Sequence, residues 1–389
     1  MLKLMRARVV SADPLEIELE AAPGTAPGGG ACPGDEAGGG SGREGEVRRA
    51  WSDPVLIGPC EVGDEVIVNT EALDLGLGSG GFDIVHVNLT RGLSGEGSRE
   101  EHVMKLNYSP LQHAVETIER GVDAGATERP DGASAGTGGG PPPDRTESFA
   151  PVLAIGLHGH LAPAAWAVAE TARQQGHEPP RIAYVQTGGG ALPGSLSRDV
   201  TELGDRGLLA GHITAGPAYG GASEAITLVG AIDAAGAGDF DGVIAGPGPG
   251  ILGSATAYGH GGMAALDVLH GALALGAPAV LCPRLSAADP RPRHRGLSHH
   301  TQAVLELLLD GVDLPLPEPA GDFNPEEAED LVGRAGKGRH RITLEPVDLE
   351  GYARSGLPRR SMGRDLDEDP VFFAAPLAAG SRIAELIHR

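Results

Sequence analysis

Eleven residues, Arg291 to Thr301 (RPRHRGLSHHT), hold three arginines and three histidines just ahead of an apolar helical pattern. Guanidinium groups fork onto carboxylate or phosphate, and imidazole moves protons or binds metal near neutrality. With Ser298 as the N-cap of the helix that follows, free N–H groups add partial positive charge at the same point. Arg284, Arg291, Arg293, His294, Arg295, Ser298 and His299 are therefore expected to bind a small anion. On the helix, His300 shares a face with Val304, Leu307 and Leu308 and should turn inward. His299 aligns with Gln302, Ala303 and Glu306 on the wetter side.

A second pair, His158-Gly159-His160, follows an apolar run over 152–156. Imidazoles spaced by one residue at a strand end reach the same side. His158, His160 and His300 are candidates for acid–base chemistry, with Glu224 as a carboxylate base or simply an acid at a helix start. A metal would need His158 and His160 completed by Asp289 or His260. Neighbouring helix positions point about 100° apart, so His299 and His300 are not expected to share one ion. Tyr219 flanks the same Gly-Gly turn as Glu224, and Tyr258 precedes His260; both are candidates for ligand contact.

Gly248-Pro249-Gly250-Ile251-Leu252-Gly253 matches the dinucleotide fingerprint G-x-G-x-x-G after a strand. With 62 glycines in 389 residues, about one or two such matches arise by chance. No acid ends the next strand, where Cys282-Pro283-Arg284 stands. The plainer expectation is that backbone N–H groups at Gly188, Gly189, Gly248 and Gly250 cradle a phosphate or carboxylate. G-K-[ST] is absent, which removes a P-loop reading.

These residues need a frame, and the apolar pattern supplies one. From residue 150, PVLAIGL, RIAYVQT, GHITAG, DGVIAG and APAVLCP are short, nearly continuous apolar runs separated by helical patterns. That is the mark of a parallel sheet covered on both faces. The loops after these strands are long and rich in Gly, His or Arg, whereas GHEPP and AGAGDFD at the opposite ends are ordinary. Six of the fourteen histidines fall on the carboxyl side, where open sheets bind ligands near a switch point. Earlier, LEIELE, VLIG, EVGDEVIVNT, FDIVHVNL and EHVMKLNY read as strands, followed by a helix over QHAVETIER opened by Ser109-Pro110. The expected fold class is α/β: a small N-terminal β-barrel or sandwich, then a Rossmann-like doubly wound parallel sheet. Residues 1–121 form the β-rich part with a glycine-rich insertion at 21–46, and 122–148 a flexible linker. Residues 149–312 form the α/β domain, and 313–389 a mixed segment packing on it through Phe372 and Phe373.

A formal net charge of −23 opposes phosphate backbones and anionic bilayers. Three cysteines without C-x-x-C spacing suggest neither disulfides nor a zinc knuckle. The N-terminus lacks the apolar core of a signal peptide, and VLAIGLHGHLAPAAWAVA, the best candidate span, is broken by His158, His160 and Pro163. The expectation is a cytoplasmic protein whose partner is a small anionic molecule, not nucleic acid or membrane. A homo-oligomer is left open, and no cofactor or metal is named.

HVMKLNYSPLQ, LHGHLAP, TGGGALPGSLS, ADPRPRHRGLSHHT and SMGRDLDEDPVFFAA together carry one resemblance. The chain is similar to an uncharacterised bacterial family of about this length, a domain of unknown function found in Gram-positive lineages. The likeness spans nearly the whole chain outside the two low-complexity stretches. It implies a bacterial cytoplasmic protein and brings no activity or site residues with it. From the residues, the leading expectation is a strand-end crevice for a phosphorylated or nucleotide-like anion, with His acid–base or metal chemistry. The alternatives are a non-catalytic regulatory or assembly module and an NADP-dependent oxidoreductase using Arg284.

Overall fold

The computed structural model describes residues 2–20, 44–77, 80–93, 95, 97, 103–119, 149–238, 240–254, 256–318 and 324–388. Most of the glycine-rich insertion and the whole linker stretch fall outside them. The chain divides into two compact units, Met1–Ala114 and Val115–Arg389.

Alternation builds the first unit. In β1 (Leu4–Ala12), Ala7 and Val9 are buried while Arg6 and Arg8 face out. β2 (Leu15–Leu19), β3 (Val47–Trp51), β4 (Glu65–Asn69) and β5 (Asp83–Asn88) complete a closed barrel in the order β1-β2-β3-β5-β4. A one-turn helix, α1 (Glu71–Asp74), connects β4 to β5. Ile17, Leu19, Val66, Val68 and Val85 fill the barrel with Ala7 and Val9. VLIG is a turn, not a strand: the N–H groups of Val55 and Leu56 donate to Asp53 Oδ1, a local bond that replaces strand pairing. β6 (Val103–Lys105) and β7 (His113–Val115) form a two-stranded sheet. The helix expected over 112–120 is therefore absent. Ser109 spends its hydroxyl on a turn, donating to Leu106 O and accepting from Leu111 N, and Thr117 bridges to Glu224.

The second unit is an eight-stranded, all-parallel sheet. In chain order it runs β8 (Val152–Ile155), α2 (Leu161–Gln174), β9 (Ile182–Thr187), α3 (Arg198–Asp205), β10 (Gly211–Ala215) and β11 (Ser223–Ala225). It continues with α4 (Leu228–Ala237), β12 (Gly242–Pro247), α5 (Ala264–Leu275) and β13 (Ala279–Cys282). A small hairpin, β14 (Leu285–Ser286) and β15 (Gly296–Leu297), precedes α6 (His299–Leu307). Then come β16 (Asp313–Pro317), α7 (Pro325–Gly336), β17 (Arg341–Glu345), α8 (Leu349–Arg354), the hairpin β18 (Arg360–Ser361) and β19 (Arg364–Asp365), and α9 (Pro370–Ile387). The sheet order is β11-β10-β9-β12-β8-β13-β16-β17. β8 through β13 are almost wholly buried because helices cover both faces: α4 to α7 on one side, α2, α3, α8 and α9 on the other. The doubly wound Rossmann-like reading holds for this unit. Residues 313–317 and 341–345 extend the same sheet, so the tail is part of it and not an appendage.

α9 is the helix in the described chain long and apolar enough to cross a membrane, yet 72% of that window is buried inside the fold. Phe372 and Phe373, both 1% exposed, seat it against α2 and the sheet.

Candidate functional site

β8 and β13 lie side by side, but their chains leave in opposite directions: β8 feeds α2 on one face, and β13 feeds α6 on the other. Strand ends that diverge in this way open a crevice. A cavity of about 20 Å³, room for one water, sits there between Gly156, Leu157, Gly262, Cys282, Arg284 and His300.

Four histidines gather at this crevice. His260 stacks on His300 with ring centroids 3.5 Å apart and planes 9° from parallel. His294 lies 4.8 Å from His300 and 4.7 Å from His299, and His299 lies 4.4 Å from His300. The helix places the pair: Ser298 caps α6, its Oγ accepting from His300 N, so His299 and His300 are the first two helical residues. His299 thus belongs to the cluster and does not turn away as the helical wheel implies. At a helix N-terminus, both rings can reach past the helix end toward the same loops.

Hydrogen bonds fix which ring nitrogen carries the proton. His260 Nε2 donates to Ala257 O at 3.1 Å, and His299 Nδ1 donates to Arg293 O at 3.3 Å. His294 Nδ1 donates to Ser298 Oγ at 2.7 Å, and its Nε2 accepts from Arg293 Nε at 3.4 Å. His300 Nδ1 accepts from Arg284 Nη1 at 3.2 Å. Burial first, then neighbouring histidines and arginines, pushes His294 down to about 3 and His300 down to about 2. The same causes lower His260 and His299. All four rings are neutral at pH 7, so the positive charge of the site comes from arginine.

Asp289, fully buried, is the hub of that charge. It accepts from Arg284 Nη2 at 3.2 Å, from Arg291 Nε and Nη2 at 3.0 Å each, and from Arg364 Nη2 at 3.3 Å. Burial works to raise its pKa, but the Arg291 bonds and the charges of Arg291 and Arg364 hold it well below the usual carboxylate range. Burial, with Arg291 nearby, pushes the Arg284 guanidinium down to about 10. Arg295 Nε donates to Asp289 O, and Arg364 also pairs with Asp369, which accepts from Ser286 Oγ and Ala287 N. Arg364 comes from the polar turn Ser361-Met362-Gly363-Arg364, whose position in the sequence points to the crevice; Asp369 carries no sequence signal beyond its place before Pro370.

Of the other candidates, His160 backs onto the crevice through Cys282, and the rest fall elsewhere. His158 Nε2 accepts from Ser197 Oγ at 2.7 Å, and its Nδ1 lies 3.3 Å from Tyr184 OH, which itself donates to Gly246 O and Pro247 O. Burial lowers His158 to about 4. His160, fully buried and lowered to about 3 for the same reason, packs on Phe372 with Nδ1 3.4 Å from Cys282 Sγ. Glu224 lies on strand β11, not at a helix start, accepting from Thr214 Oγ1 and Gly220 N. Tyr219 is buried and Tyr258 half-exposed.

The glycine loops are built for contact with each other. A Cβ on Gly189 would stand 2.7 Å from Gly261 O, and one on Gly248 would stand 2.4 Å from Ala191 O. Gly188 lies against Pro217, and Gly250 takes the left-handed φ of 72° that a side chain disfavours. No helix follows Gly253 directly; α5 begins only at Ala264, after a 3-10 turn.

No curated protein and no solved structure matches the chain. One family does, over residues 49–380, which take in the first unit from within β3 onward, the whole crevice and the first 11 of the 18 residues of α9. The chain therefore belongs to the family described as protein of unknown function (DUF3866).

Proposed function

We propose that the crevice between β8 and β13 binds a small anionic molecule, with phosphorylated compounds as the first class to test. One observation carries this reading. Five guanidinium groups gather here in a chain of net charge −23: Arg284, Arg291 and Arg364 pair with Asp289 or Asp369, Arg295 bonds the Asp289 backbone carbonyl, and Arg293 bonds His294. Arg291, Arg293 and Arg295 are exposed at the rim, and Ser298 opens the N-terminus of α6 beside them. Evolution of so acidic a surface elsewhere makes the local cation excess a steering field for an anion. The neutral imidazoles then serve as hydrogen-bond partners or ligands, and not as counter-charges.

The test is isothermal titration of the full chain with inorganic phosphate and pyrophosphate at two ionic strengths. Among the described residues the Arg293 guanidinium bonds only its neighbour His294, so Arg293→Ala should leave the fold intact. A charge-assisted hydrogen bond is worth about 1.5–3 kcal/mol, so the variant should bind about tenfold or more weakly. Absence of binding in the native protein, or equal binding by the variant, overturns the reading.

A further inference from the structure

His260, His299 and His300 each offer a ring nitrogen, and the three atoms lie within 4.8 Å of one another. Zn–N bonds of about 2.0–2.1 Å put tetrahedral ligand atoms roughly 3.3–3.4 Å apart. The three nitrogens thus need to close by about 1–1.5 Å, and His260 and His300 must tilt out of their stack so that their in-plane lone pairs converge, a change that the partly exposed His299 and His300 can supply.

The remaining ring nitrogens are arranged as ligating histidines require. His260 and His299 donate their other N–H to backbone carbonyls, those of Ala257 and Arg293, which leaves His260 Nδ1 and His299 Nε2 with free lone pairs. An independent observation points to a missing ligand. His260 is 7% exposed, and its Nδ1 is buried without a hydrogen-bond partner. Buried acceptors left unpaired are rare and ask for an occupant. Gly262 keeps the space beside this atom open, since a Cβ there would stand 3.1 Å from it. His294 is excluded from the set because both its nitrogens are engaged, with Ser298 and Arg293.

We propose that His260, His299 and His300 form a binding site for a divalent transition metal of the zinc class, with one coordination position open to the crevice. An all-imidazole set suits zinc, copper or nickel and not magnesium or calcium. Three neutral ligands leave the ion's full charge uncompensated, so the open position takes an anion. That last step rests on the anion reading above; metal binding itself does not. Entry of the ion has one structural consequence. A ring that binds metal through one nitrogen carries its proton on the other, so the Arg284–His300 bond must open. Arg284 keeps its partner Asp289 when it does.

The experiment uses the full chain, stripped with a chelator and titrated with Zn²⁺ against a chromophoric competitor, with no phosphate present. One zinc per chain is expected. His260→Ala and His299→Ala should each lower affinity by about 100-fold or more. His294→Gln should bind within about threefold of the native chain. Co²⁺ substitution should give the visible absorption of a low-coordinate imidazole site, lost in His299→Ala. If His260→Ala fails to fold by circular dichroism, His299→Ala decides alone, because its ring is partly exposed. No zinc uptake by the native chain, or unchanged affinity in His299→Ala, overturns the proposal. Phosphate titration of the metal-free protein then shows separately whether the anion site stands.

Discussion

Asp289 occupies the arginines before any ligand does. Its carboxylate holds Arg284 and Arg291 from its own loop and Arg364 from the β18–β19 hairpin, and it is fully buried. A buried ion network tolerates loss of a member poorly, because the charges left behind have no water to turn to. Asp289→Ala should therefore cost about 3–5 kcal/mol, read by urea denaturation at pH 7. A loss under about 1 kcal/mol would show that the three guanidinium groups find other partners and that the network is not structural. The same residue shows why the cluster was only partly legible in sequence. RPRHRGLSHH announces its charge openly, and Asp289 stands two residues before Arg291. Arg364 joins from 75 residues away, and no spacing rule reaches that far. The His299 orientation failed for a related reason. A helical wheel assumes neighbours beside the helix, whereas His260 and His294 approach from beyond its first turn.

At the scale of elements, the buried strands were readable because helices on both faces make each a continuous apolar run. β11 and β7 were not readable. Three-residue strands carry no period of their own, and it is pairing with a neighbouring strand that defines them: β10 for β11, and β6 for β7. β16 was hidden by Pro315 and Pro317, which donate no N–H; its pairing with β13 is confined to Val280 opposite Asp313, while five residues pair with β17. The glycine loops teach the converse. Their abundance reads as ligand cradling, yet Gly248 and Gly189 are pressed against neighbouring backbone. Gly248→Ala should force these loops apart and cost about 1–3 kcal/mol. Gly204 is the control: it lies in α3, a Cβ there meets nothing within 4 Å, and Gly204→Ala should gain about 0.5–1 kcal/mol. Thermal unfolding of the two variants checks the contrast. Equal shifts in one direction would mean that loop packing is not what fixes Gly248.

For the whole molecule, the decisive quantity is how many histidines folding keeps neutral. His158, His160 and His294 are 8%, 0% and 1% exposed, and burial lowers them to about 4, 3 and 3. In the unfolded chain each returns to about 6.5. Below that value the unfolded state binds more protons than the folded one, so stability falls as pH falls. Above about pH 7 both states are neutral at these sites and the effect vanishes. Asp289 acts in a different window: its depressed pKa gives stability that is kept above the ordinary carboxylate value and lost only in stronger acid. Each buried histidine contributes a slope approaching 1.4 kcal/mol per pH unit, so these three alone should remove roughly 3–4 kcal/mol between pH 6 and pH 5, and His212 and His300 add to the loss. Urea denaturation at pH 7, 6 and 5 measures this directly, and a flat profile would mean that these rings are protonated in the folded protein. The outcome also bears on the metal proposal. Zinc bound to neutral imidazoles adds stability without adding protons to the folded state, so loading the site should not reduce the acid loss. His158 and His160 lie outside the proposed ligand set, so the acid loss they cause should persist in the zinc-loaded protein. A zinc-loaded chain that lost its acid sensitivity would show that these histidines gain no proton on unfolding, and would overturn the linkage.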